Sequence, residues 1–371
     1  MTHATAPALS RARSLLDFDD HPLVAIWETT QACDLVCAHC RACATPSRHP
    51  DELSTSEGKA LLDRIHAMGT PLCILTGGDP ALREDLVELV AHGSKLGLTM
   101  ALTPSGTPLM RRELLTALSD AGLARIAVSV DGPDGRAHDT FRGVLGSFAH
   151  SLRILREARA IGLETQINFT LSRLSLAHVR AMADLARDLD VAMFVLFLVV
   201  PTGRASESLQ LTPVEVECAL EELARIASDY PFQVKTTAAP HFRRVLLERH
   251  TSGSPLGLLR DVHDGTVRGQ RGINDGSGFV FVSHTGDVMP SGFFPECAGN
   301  VRKGDLATIY RDSDLFRSLR DVDRLEGKCG VCPFRRVCGG SRARALATTG
   351  NAWAEDPACA YVPRDARLDS V

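Results

Sequence analysis

The chain contains 371 residues, of which 44% are hydrophobic and 23% are charged, with a formal net charge of −4. This length and apolar content can bury a core and suggest about two domains. The mild charge, without blocks of like sign, argues against a surface for DNA or RNA, and no apolar stretch is long enough to span a bilayer. We therefore expect neither a nucleic acid nor a membrane as a partner.

The eleven cysteines are the strongest signal in the composition. The first twenty residues lack the apolar stretch of a secretory signal, so we expect a cytoplasmic location, where reducing conditions disfavour disulfides. The cysteines therefore indicate metal binding. Two exceptions are Cys73, in an apolar strand, and Cys218, in a helix, which we expect to be small buried hydrophobic residues.

Apolar strands alternate with amphipathic helices from about residue 23 to 200, a pattern typical of repeated βα units. Six strands are predicted at 23–27, 72–76, 99–103, 125–130, 165–170 and 192–199. The first helix opens with a capping box of Ser54 and Glu57 and ends at 68. Further helices are predicted at 83–96, 110–121, 148–160, 176–189 and 213–228. The fold class is thus α/β, a partial (β/α)6 TIM-like barrel at 23–235 after an N-terminal extension at 1–22.

Three cysteines, Cys33, Cys37 and Cys40, directly follow the first predicted strand. An iron–sulfur core prefers thiolate ligands, and four of them would saturate a four-iron cluster. Three thiolates leave one iron open to a substrate or cosubstrate, as in zinc sites with three protein ligands. Cys43 is near enough in sequence to be a fourth ligand, so a closed zinc or ferredoxin-like centre is the alternative.

Glycine-rich or polar segments end three later strands, where ligand sites form in such barrels. They contain Gly77, Gly78 and Asp79, then Ser129 and Asp131, and then Asn168. Glycine lets backbone approach a ligand closely, and a nearby arginine, Arg142, offers a planar fork for a carboxylate. Taken singly, each segment could also be a tight turn, a strand-end cap or a solvated charge.

The spacing C-x3-C-x2-C, followed by Gly-Gly-Asp-Pro, resembles the cofactor loops of radical S-adenosylmethionine (radical SAM) enzymes. The resemblance implies a [4Fe-4S] cluster on the three cysteines, with S-adenosylmethionine (SAM) bound to its open iron. A flavodoxin or ferredoxin would supply the electron that cleaves SAM to methionine and a 5′-deoxyadenosyl radical. The implied SAM contacts are Gly77, Gly78 and Asp79 for the amino group, Arg142 for the carboxylate, Ser129 and Asp131 for the ribose or amino-acid end, Asn168 for a ribose hydroxyl and His39 for the adenine.

Four cysteines near the end of the chain, Cys329, Cys332, Cys338 and Cys359, could close a metal site completely. Their segment resembles the C-terminal SPASM or twitch domain of radical SAM maturases and haem-pathway enzymes, which implies an auxiliary [4Fe-4S] cluster. Structural zinc is the alternative, because C-x2-C spacing is also typical of zinc ribbons.

Full SPASM domains carry further cysteines, whose places are taken here by Ser291 and Arg342. We therefore expect a single auxiliary cluster in a small cysteine-rich domain at 278–371, with Cys297 as a plain thiol. This domain includes a predicted hairpin across His284–Gly286 and follows a connecting region at 236–277.

The substrate is less constrained than the cofactors. The segments 200–204, 283–287 and 298–302 look most like those of enzymes in alternative haem pathways, which implies a tetrapyrrole whose side chains are altered. A maturase of a ribosomally made peptide is the alternative, although no N-terminal segment long enough for leader-peptide recognition is evident. A non-catalytic iron–sulfur electron carrier is the alternative of another class, but it would not need the SAM loops.

Overall fold

One ten-stranded sheet organises the protein in the computed structural model, which describes residues 17–251 and 271–363. The strands are β1 (Val24–Glu28), β2 (Leu72–Thr76), β3 (Thr99–Leu102), β4 (Leu123–Ser129), β5 (Glu164–Leu171), β6 (Met193–Leu198), β7 (Gln233–Thr237), β8 (Phe279–Val282), β9 (Asp287–Met289) and β10 (Gly299–Asn300). β1 to β7 pair in parallel in chain order. The predicted α/β class and its six barrel strands are confirmed.

Twelve α-helices are found within the described residues, and the first eight of them alternate with the parallel strands. They are α1 (Thr55–Ala67), α2 (Leu86–Leu96), α3 (Arg112–Asp120), α4 (Gly135–Arg142), α5 (Ser147–Ala160), α6 (Val179–Asp188), α7 (Pro213–Asp229), α8 (Phe242–Thr251), α9 (Leu306–Asp312), α10 (Asp314–Arg320), α11 (Gly327–Gly330) and α12 (Arg342–Thr349). None of the helices in the described residues is long and apolar enough to cross a membrane.

The two faces of each strand have different neighbours, because side chains alternate along a strand. Ala25 and Trp27 of β1 are fully buried in the main core, where Trp27 reaches Gly58 of α1. Val24 and Ile26, on the opposite face, line the cavity inside the barrel. The main core therefore lies between sheet and helices, and the inner face is left for a ligand.

The predicted capping box at the start of α1 is confirmed. The Glu57 N–H donates to Ser54 Oγ (3.3 Å), and the Ser54 N–H donates to Glu57 Oε2 (2.9 Å). Arg302 Nε also donates to Glu57 Oε1 (2.6 Å). Since Arg302 follows β10, the first helix of the barrel is tied to the C-terminal part of the chain.

The C-terminal hairpin continues the barrel sheet. β8 pairs in parallel with β1, with Ile26 opposite Phe281, and β9 turns back antiparallel to β8 across the predicted turn at His284–Gly286. The inner wall of the barrel is therefore extended on one edge by β8 and on the other by β7.

The structure differs from the sequence prediction in several elements, among them α8 to α12, where no helix was predicted. β7 was not predicted, because its residues, Gln-Val-Lys-Thr-Thr, are mostly polar, as suits an edge strand with one solvated face. The short helix α4, which ends at Arg142, was also missed. Cys73 is buried as predicted, but the prediction for Cys218 was wrong, since this residue is exposed on the outer side of α7.

The predicted domain boundaries remain predictions. The boundary between 235 and 236 falls inside β7, and the hairpin of the proposed C-terminal domain shares a sheet with the barrel. Residues 1–16 of the predicted extension, 252–270 of the connecting region and 364–371 of the last domain lie outside the described residues.

Candidate active site

A cavity of about 1620 Å³ occupies the inside of the barrel and extends to the segment after β9. Cys33, Cys37 and Cys40 line it at the carboxyl end of β1, together with His39 and Arg142. Pockets for small ligands typically measure about 300–1,000 Å³. This cavity therefore has room for a cosubstrate and a second large ligand.

The sulfur atoms of the first cysteine loop already have hydrogen-bond donors around them. Cys33 Sγ accepts from the Leu35 N–H (3.4 Å) and lies 3.3 Å from Ser105 Oγ, and Arg142 Nη1 donates to Cys37 Sγ (3.7 Å). Donors of this kind stabilise anionic thiolates and tune iron–sulfur centres. The donor set, three thiols on a cavity wall with polar support behind them, fits a cluster with one open iron.

Cys43 is placed differently from the other three cysteines. It is exposed, its backbone has a φ of 48°, and it does not line the cavity. This geometry does not support Cys43 as a fourth ligand of a closed site.

The segment after β6 holds the first cysteine loop, a role that sequence reasoning missed. Arg204 donates from Nε to the Cys37 carbonyl (3.1 Å) and from Nη1 to the Ala44 carbonyl (3.2 Å). Its own N–H donates to the Cys40 carbonyl (2.9 Å). A Cβ on Gly203 would lie 2.5 Å from that same carbonyl oxygen, so only glycine permits the approach. The segment Pro201–Arg204 was noted in the sequence, but nothing there indicated its distant partner.

Gly77 and Gly78 bring the loop after β2 against the start of the cysteine loop. A Cβ on Gly77 would lie 2.6 Å from the Thr30 carbonyl oxygen, and one on Gly78 would lie 2.2 Å from that of Ala32. The Gly78 N–H donates to the Thr30 carbonyl (2.7 Å). The close approach that demands glycine is to the protein's own backbone. Both glycines also line the cavity, and their contact with a ligand stays a prediction.

Asp79 lies behind these glycines and not on the cavity wall. Oδ2 accepts from Thr107 Oγ1 (2.7 Å), and Oδ1 accepts from the N–H groups of Ala81 (3.1 Å) and Ser105 (3.3 Å). Burial raises the pKa of this carboxyl. The geometry makes Asp79 an organiser of the loop that carries Ser105, which in turn touches Cys33.

Asp131 and Arg142 form a buried ion pair beside the cysteine loop, with 2.5 Å between Oδ2 and Nη2. Asp131 Oδ1 also accepts from the Thr170 N–H (2.7 Å). Although burial opposes ionisation, Arg142 and the nearby histidines hold the pKa of Asp131 below its ordinary value. Arg142 lines the cavity and Asp131 does not. Asp131 is thus placed to orient Arg142 rather than to touch a ligand.

His39 lines the cavity between the cysteines. Its ring stacks on Phe141, with 4.1 Å between centroids, and Nε2 lies 3.8 Å from Asp131 Oδ2. Burial, and then the charge of Arg142, lower the pKa of His39 to about 4, so the ring is neutral near neutral pH. Its flat face is held rigidly next to the cysteine loop, as the predicted contact with an adenine would need.

Ser129, the last residue of β4, and Asn168, within β5, are paired in register and both line the cavity. Asn168 is 7% exposed, and its Oδ1 accepts from Gln166 Nε2 (2.7 Å), which leaves the amide N–H groups of Asn168 to donate. Of the predicted SAM contacts, Gly77, Gly78, Ser129, Arg142, Asn168 and His39 share this cavity, whereas Asp79 and Asp131 lie behind it.

The four late cysteines line a second, small cavity of about 20 Å³. Cys329 Sγ accepts from the Asp356 N–H (3.5 Å), and Cys338 Sγ accepts from the Gly340 N–H (3.5 Å). Burial raises the pKa of the Cys359 thiol to about 11 and raises that of Cys338 as well. Four thiols on one small cavity, two of them with backbone N–H donors on their sulfur atoms, fit a closed four-thiolate centre.

Ser291 and Arg342 stand at the two positions where full SPASM domains have further cysteines. Arg342 is buried, and its Nη1 donates to the carbonyls of Ala352 and Ala354 (both 2.8 Å), while Nη2 donates to Cys329 Sγ (3.9 Å). Ser291 Oγ donates to Asp275 Oδ1 (2.5 Å). In the described residues no three His, Cys, Asp or Glu side chains converge closely enough to hold a single metal ion.

The comparisons with known proteins agree with this geometry. A family model described as the radical SAM superfamily matches residues 27–186. The "AdoMet-dependent heme synthase" of Oleidesulfovibrio alaskensis is 39% identical over 97% of this chain and 93% of its own length. The "Fe-coproporphyrin III synthase" of Methanosarcina barkeri is 31% identical over 93% of this chain and 90% of its own length.

A peptide-modifying relative and a solved structure complete the comparison. The "PqqA peptide cyclase" of Rhodopseudomonas palustris is 30% identical over 97% of this chain and 92% of its own length. The crystal structure of Streptococcus suis SuiB bound to S-adenosylmethionine superimposes with a TM-score of 0.73 at 15% identity, covering 92% of this chain and 78% of that one. At that identity the likeness concerns the fold alone.

Proposed function

This chain belongs to the radical SAM superfamily, and from that premise we propose that it is a haem-forming enzyme that alters the side chains of a tetrapyrrole. The observation that carries the proposal is the 39% identity to a relative named as a haem synthase, over nearly the whole of both chains. A second relative, 31% identical in sequence, is named as an Fe-coproporphyrin III synthase, and its named product is also a tetrapyrrole.

The cofactors supply the radical. SAM and a [4Fe-4S] cluster together yield the 5′-deoxyadenosyl radical, which removes a hydrogen atom from the substrate. In our proposal Cys33, Cys37 and Cys40 hold this cluster, supported by the hydrogen bonds to Cys33 and Cys37. An external one-electron donor of the flavodoxin or ferredoxin type is proposed as the source of the electron.

The chain's own polar groups would position SAM. Arg142, held by Asp131, would bind its carboxylate, and Ser129 and Asn168 would bind its ribose. Gly77 and Gly78 would receive its amino group, while Asp79 behind them holds the loop that carries Ser105. His39 would lie against the adenine, since its ring is neutral and already stacked on Phe141. Asp79 and Asp131 are therefore positioning residues in this proposal.

The size and lining of the cavity support a large, flat substrate. Beyond the cysteine loop the cavity is lined by apolar side chains of β1, β2 and β8, including Ile26, Ile74 and Phe281, and by Arg41, whose guanidinium lies 4.7 Å from the Phe281 ring centroid. Apolar walls suit the body of a macrocycle. Arg41, which also pairs with Glu28 (2.8 Å), is a cation on this wall that could meet a substrate carboxylate.

Haem and Fe-coproporphyrin III differ in two side chains, which are vinyl groups in haem and propionates in coproporphyrin. Converting a propionate to a vinyl group removes one hydrogen atom, releases CO₂ and leaves one electron. An electron acceptor is therefore required. We propose that an auxiliary [4Fe-4S] centre on Cys329, Cys332, Cys338 and Cys359 supplies it, which the shared cavity of these four residues supports.

Peptide maturation is the second candidate, favoured by the 30% identity to a peptide cyclase. We rank it lower because that identity is smaller at equal coverage. A non-catalytic iron–sulfur carrier is not supported, since the chain is a radical SAM enzyme by family.

The test is anaerobic reconstitution with iron and sulfide, followed by incubation with SAM, dithionite and Fe-coproporphyrin III. Mass spectrometry should show haem, CO₂ and 5′-deoxyadenosine formed together. Production of 5′-deoxyadenosine at the same rate with and without the tetrapyrrole, and no haem, would rule out this substrate class.

A further inference from the structure

His241 is a buried histidine whose surroundings the proposed reaction does not explain. It directly precedes α8, is 0% exposed, and lines the small cavity of the four late cysteines. Neither ring nitrogen has a hydrogen-bond partner within the described residues. No sequence pattern had marked it.

An imidazole in this position is unusual because buried polar atoms nearly always have partners. A neutral ring carries one N–H donor and one lone pair, and here both are left unused. The four cysteines line the cavity together with Arg244, Lys328 and Arg335, but none of these side chains makes a hydrogen bond to the ring. The unused donor therefore indicates that the group bound by the four cysteines completes the hydrogen bond.

The two ring nitrogens have different surroundings. Nδ1 lies 3.9 Å from Asp356 Oδ2, too far for a hydrogen bond. That carboxylate is already satisfied, because it accepts from the Ser341 N–H (2.7 Å), the Ala358 N–H (3.0 Å) and Arg344 Nη1 (3.2 Å). The Asp356 carboxylate does not need Nδ1 as a further donor, so Nε2, at the other edge of the ring, is available to carry the proton.

We propose that His241 is a positioning residue of the auxiliary centre, whose Nε2–H donates a hydrogen bond to a sulfur of the bound cluster. This inference rests on the proposed auxiliary cluster. Reduction adds a negative charge to the cluster, and a donor next to its sulfur stabilises the reduced form more than the oxidised form. His241 thereby raises the reduction potential and makes the centre a better electron acceptor.

The test isolates the auxiliary centre in a variant that carries Cys33→Ala, Cys37→Ala and Cys40→Ala. Into it we introduce His241→Phe, which keeps the ring shape but has no donor, and His241→Gln, which keeps an N–H at similar reach. The midpoint potential is measured by an anaerobic titration followed by electron paramagnetic resonance, and Mössbauer spectra report iron content.

The expected result is that His241→Phe makes reduction about tenfold less favourable, a shift of about 59 mV for one electron, while iron content stays the same. His241→Gln should recover most of the loss. An unchanged potential in a fully loaded His241→Phe variant would overturn the role of His241 and leave the auxiliary cluster standing. Absence of iron from the parent triple variant would overturn both.

Pulsed electron paramagnetic resonance on the histidine-containing parent keeps the proposal testable even if His241→Phe does not fold. With ¹⁵N-labelled histidine, a weak coupling and an exchangeable proton near the cluster are expected. A strong nitrogen coupling, typical of a nitrogen bound directly to iron, would overturn the hydrogen bond in favour of ligation, and absence of any coupling would overturn the contact.

Discussion

Arg142 serves Asp131 and Cys37 at the same time: Nη2 lies 2.5 Å from the Asp131 carboxylate, and Nη1 donates to Cys37 Sγ at 3.7 Å. Both partners are almost fully buried. The arginine that the sequence assigned to the SAM carboxylate is thus also the cation that neutralises a buried aspartate and supports a proposed cluster ligand. Substituting Arg142 therefore affects the binding of SAM, the stability of the buried Asp131 and the support of Cys37, and experiments must separate these three effects.

The first prediction concerns this ion pair. Arg142→Ala leaves Asp131 buried without its partner, which costs about 3–5 kcal/mol of stability. The double variant Arg142→Gln with Asp131→Asn removes both charges and should keep most of the melting temperature. In that folded variant, loss of a charge-assisted bond of about 1.5–3 kcal/mol should weaken SAM binding roughly ten- to a hundredfold by calorimetry.

The control for this prediction is Arg159→Gln, which breaks an exposed ion pair with Asp190 and should retain the SAM affinity. Unchanged SAM affinity in the double variant, at a normal melting temperature, would exclude Arg142 from the SAM site.

The cysteine spacing and the order of strand-end loops were enough to predict the barrel and the radical SAM family, because these features are local in sequence. The roles of Gly77 and Gly78 were harder to predict from the sequence. Glycine signals that backbone comes close to something, but only the structure shows that the neighbour is the carbonyl of Thr30 or Ala32. The hold of Arg204 on Cys37 joins residues far apart in the chain, and no local pattern carries that information.

The site of the four late cysteines was also predicted only in part. Four cysteines with metal-ligand spacing are visible in the sequence, whereas His241 is not, because a single histidine before a helix has no pattern around it. β7 escaped prediction because it is an edge strand with polar residues on one face. Cys218 was assigned to the core because a free cysteine in a helix is usually a small buried hydrophobic residue, yet it is exposed on α7.

The second prediction tests the packing of the two cofactor loops. Gly78→Ala would place a methyl group 2.2 Å from the Ala32 carbonyl oxygen, so the cysteine loop must shift. We expect the variant to lose iron from the first site while the auxiliary site keeps its own. Gly135→Ala is the matched control, because its nearest neighbour would lie 3.8 Å away and alanine favours its helix. Equal iron contents in the two variants would contradict this account.

The third prediction concerns the segment after β6. Arg204→Ala removes two hydrogen bonds to the backbone of the cysteine loop, from Nε to Cys37 and from Nη1 to Ala44. The loop should become looser, so the first cluster should be lost more quickly on exposure to air or a chelator, as followed by its visible absorbance. Arg173→Ala removes an exposed pair with Glu215 and should have no such effect. Identical rates of cluster loss would show that Arg204 is not needed to hold the loop.

The fourth prediction distinguishes the open from the closed first site. The variant with Cys33→Ala, Cys37→Ala and Cys40→Ala should produce no 5′-deoxyadenosine from SAM and dithionite. Cys43→Ala should retain the activity, because Cys43 is exposed and lies off the cavity wall. Normal activity in the triple variant would refute the cluster assignment, and loss of the first cluster in Cys43→Ala would favour a closed site.

The fifth prediction concerns the metal bound by Cys329, Cys332, Cys338 and Cys359. The triple variant of the first site, purified anaerobically, should contain about four irons and four sulfides per chain with little zinc, and its Mössbauer spectrum should be that of one four-thiolate cluster. Because burial raises the thiol pKa of Cys359 to about 11 and also that of Cys338, binding must displace protons. Reconstitution should therefore be more complete at pH 8.5 than at pH 6.5.

Substitution of a single late cysteine provides the matched comparison for this fifth prediction. Cys338→Ala should lower the iron content of the triple variant, whereas Cys297→Ala should leave it unchanged, since Cys297 is exposed and does not line the small cavity. About one zinc and no iron per chain would show that these cysteines form a structural zinc site and not an auxiliary cluster. About eight irons would mean that the chain holds a second auxiliary cluster, with ligands other than Ser291 and Arg342, because neither side chain provides a thiolate.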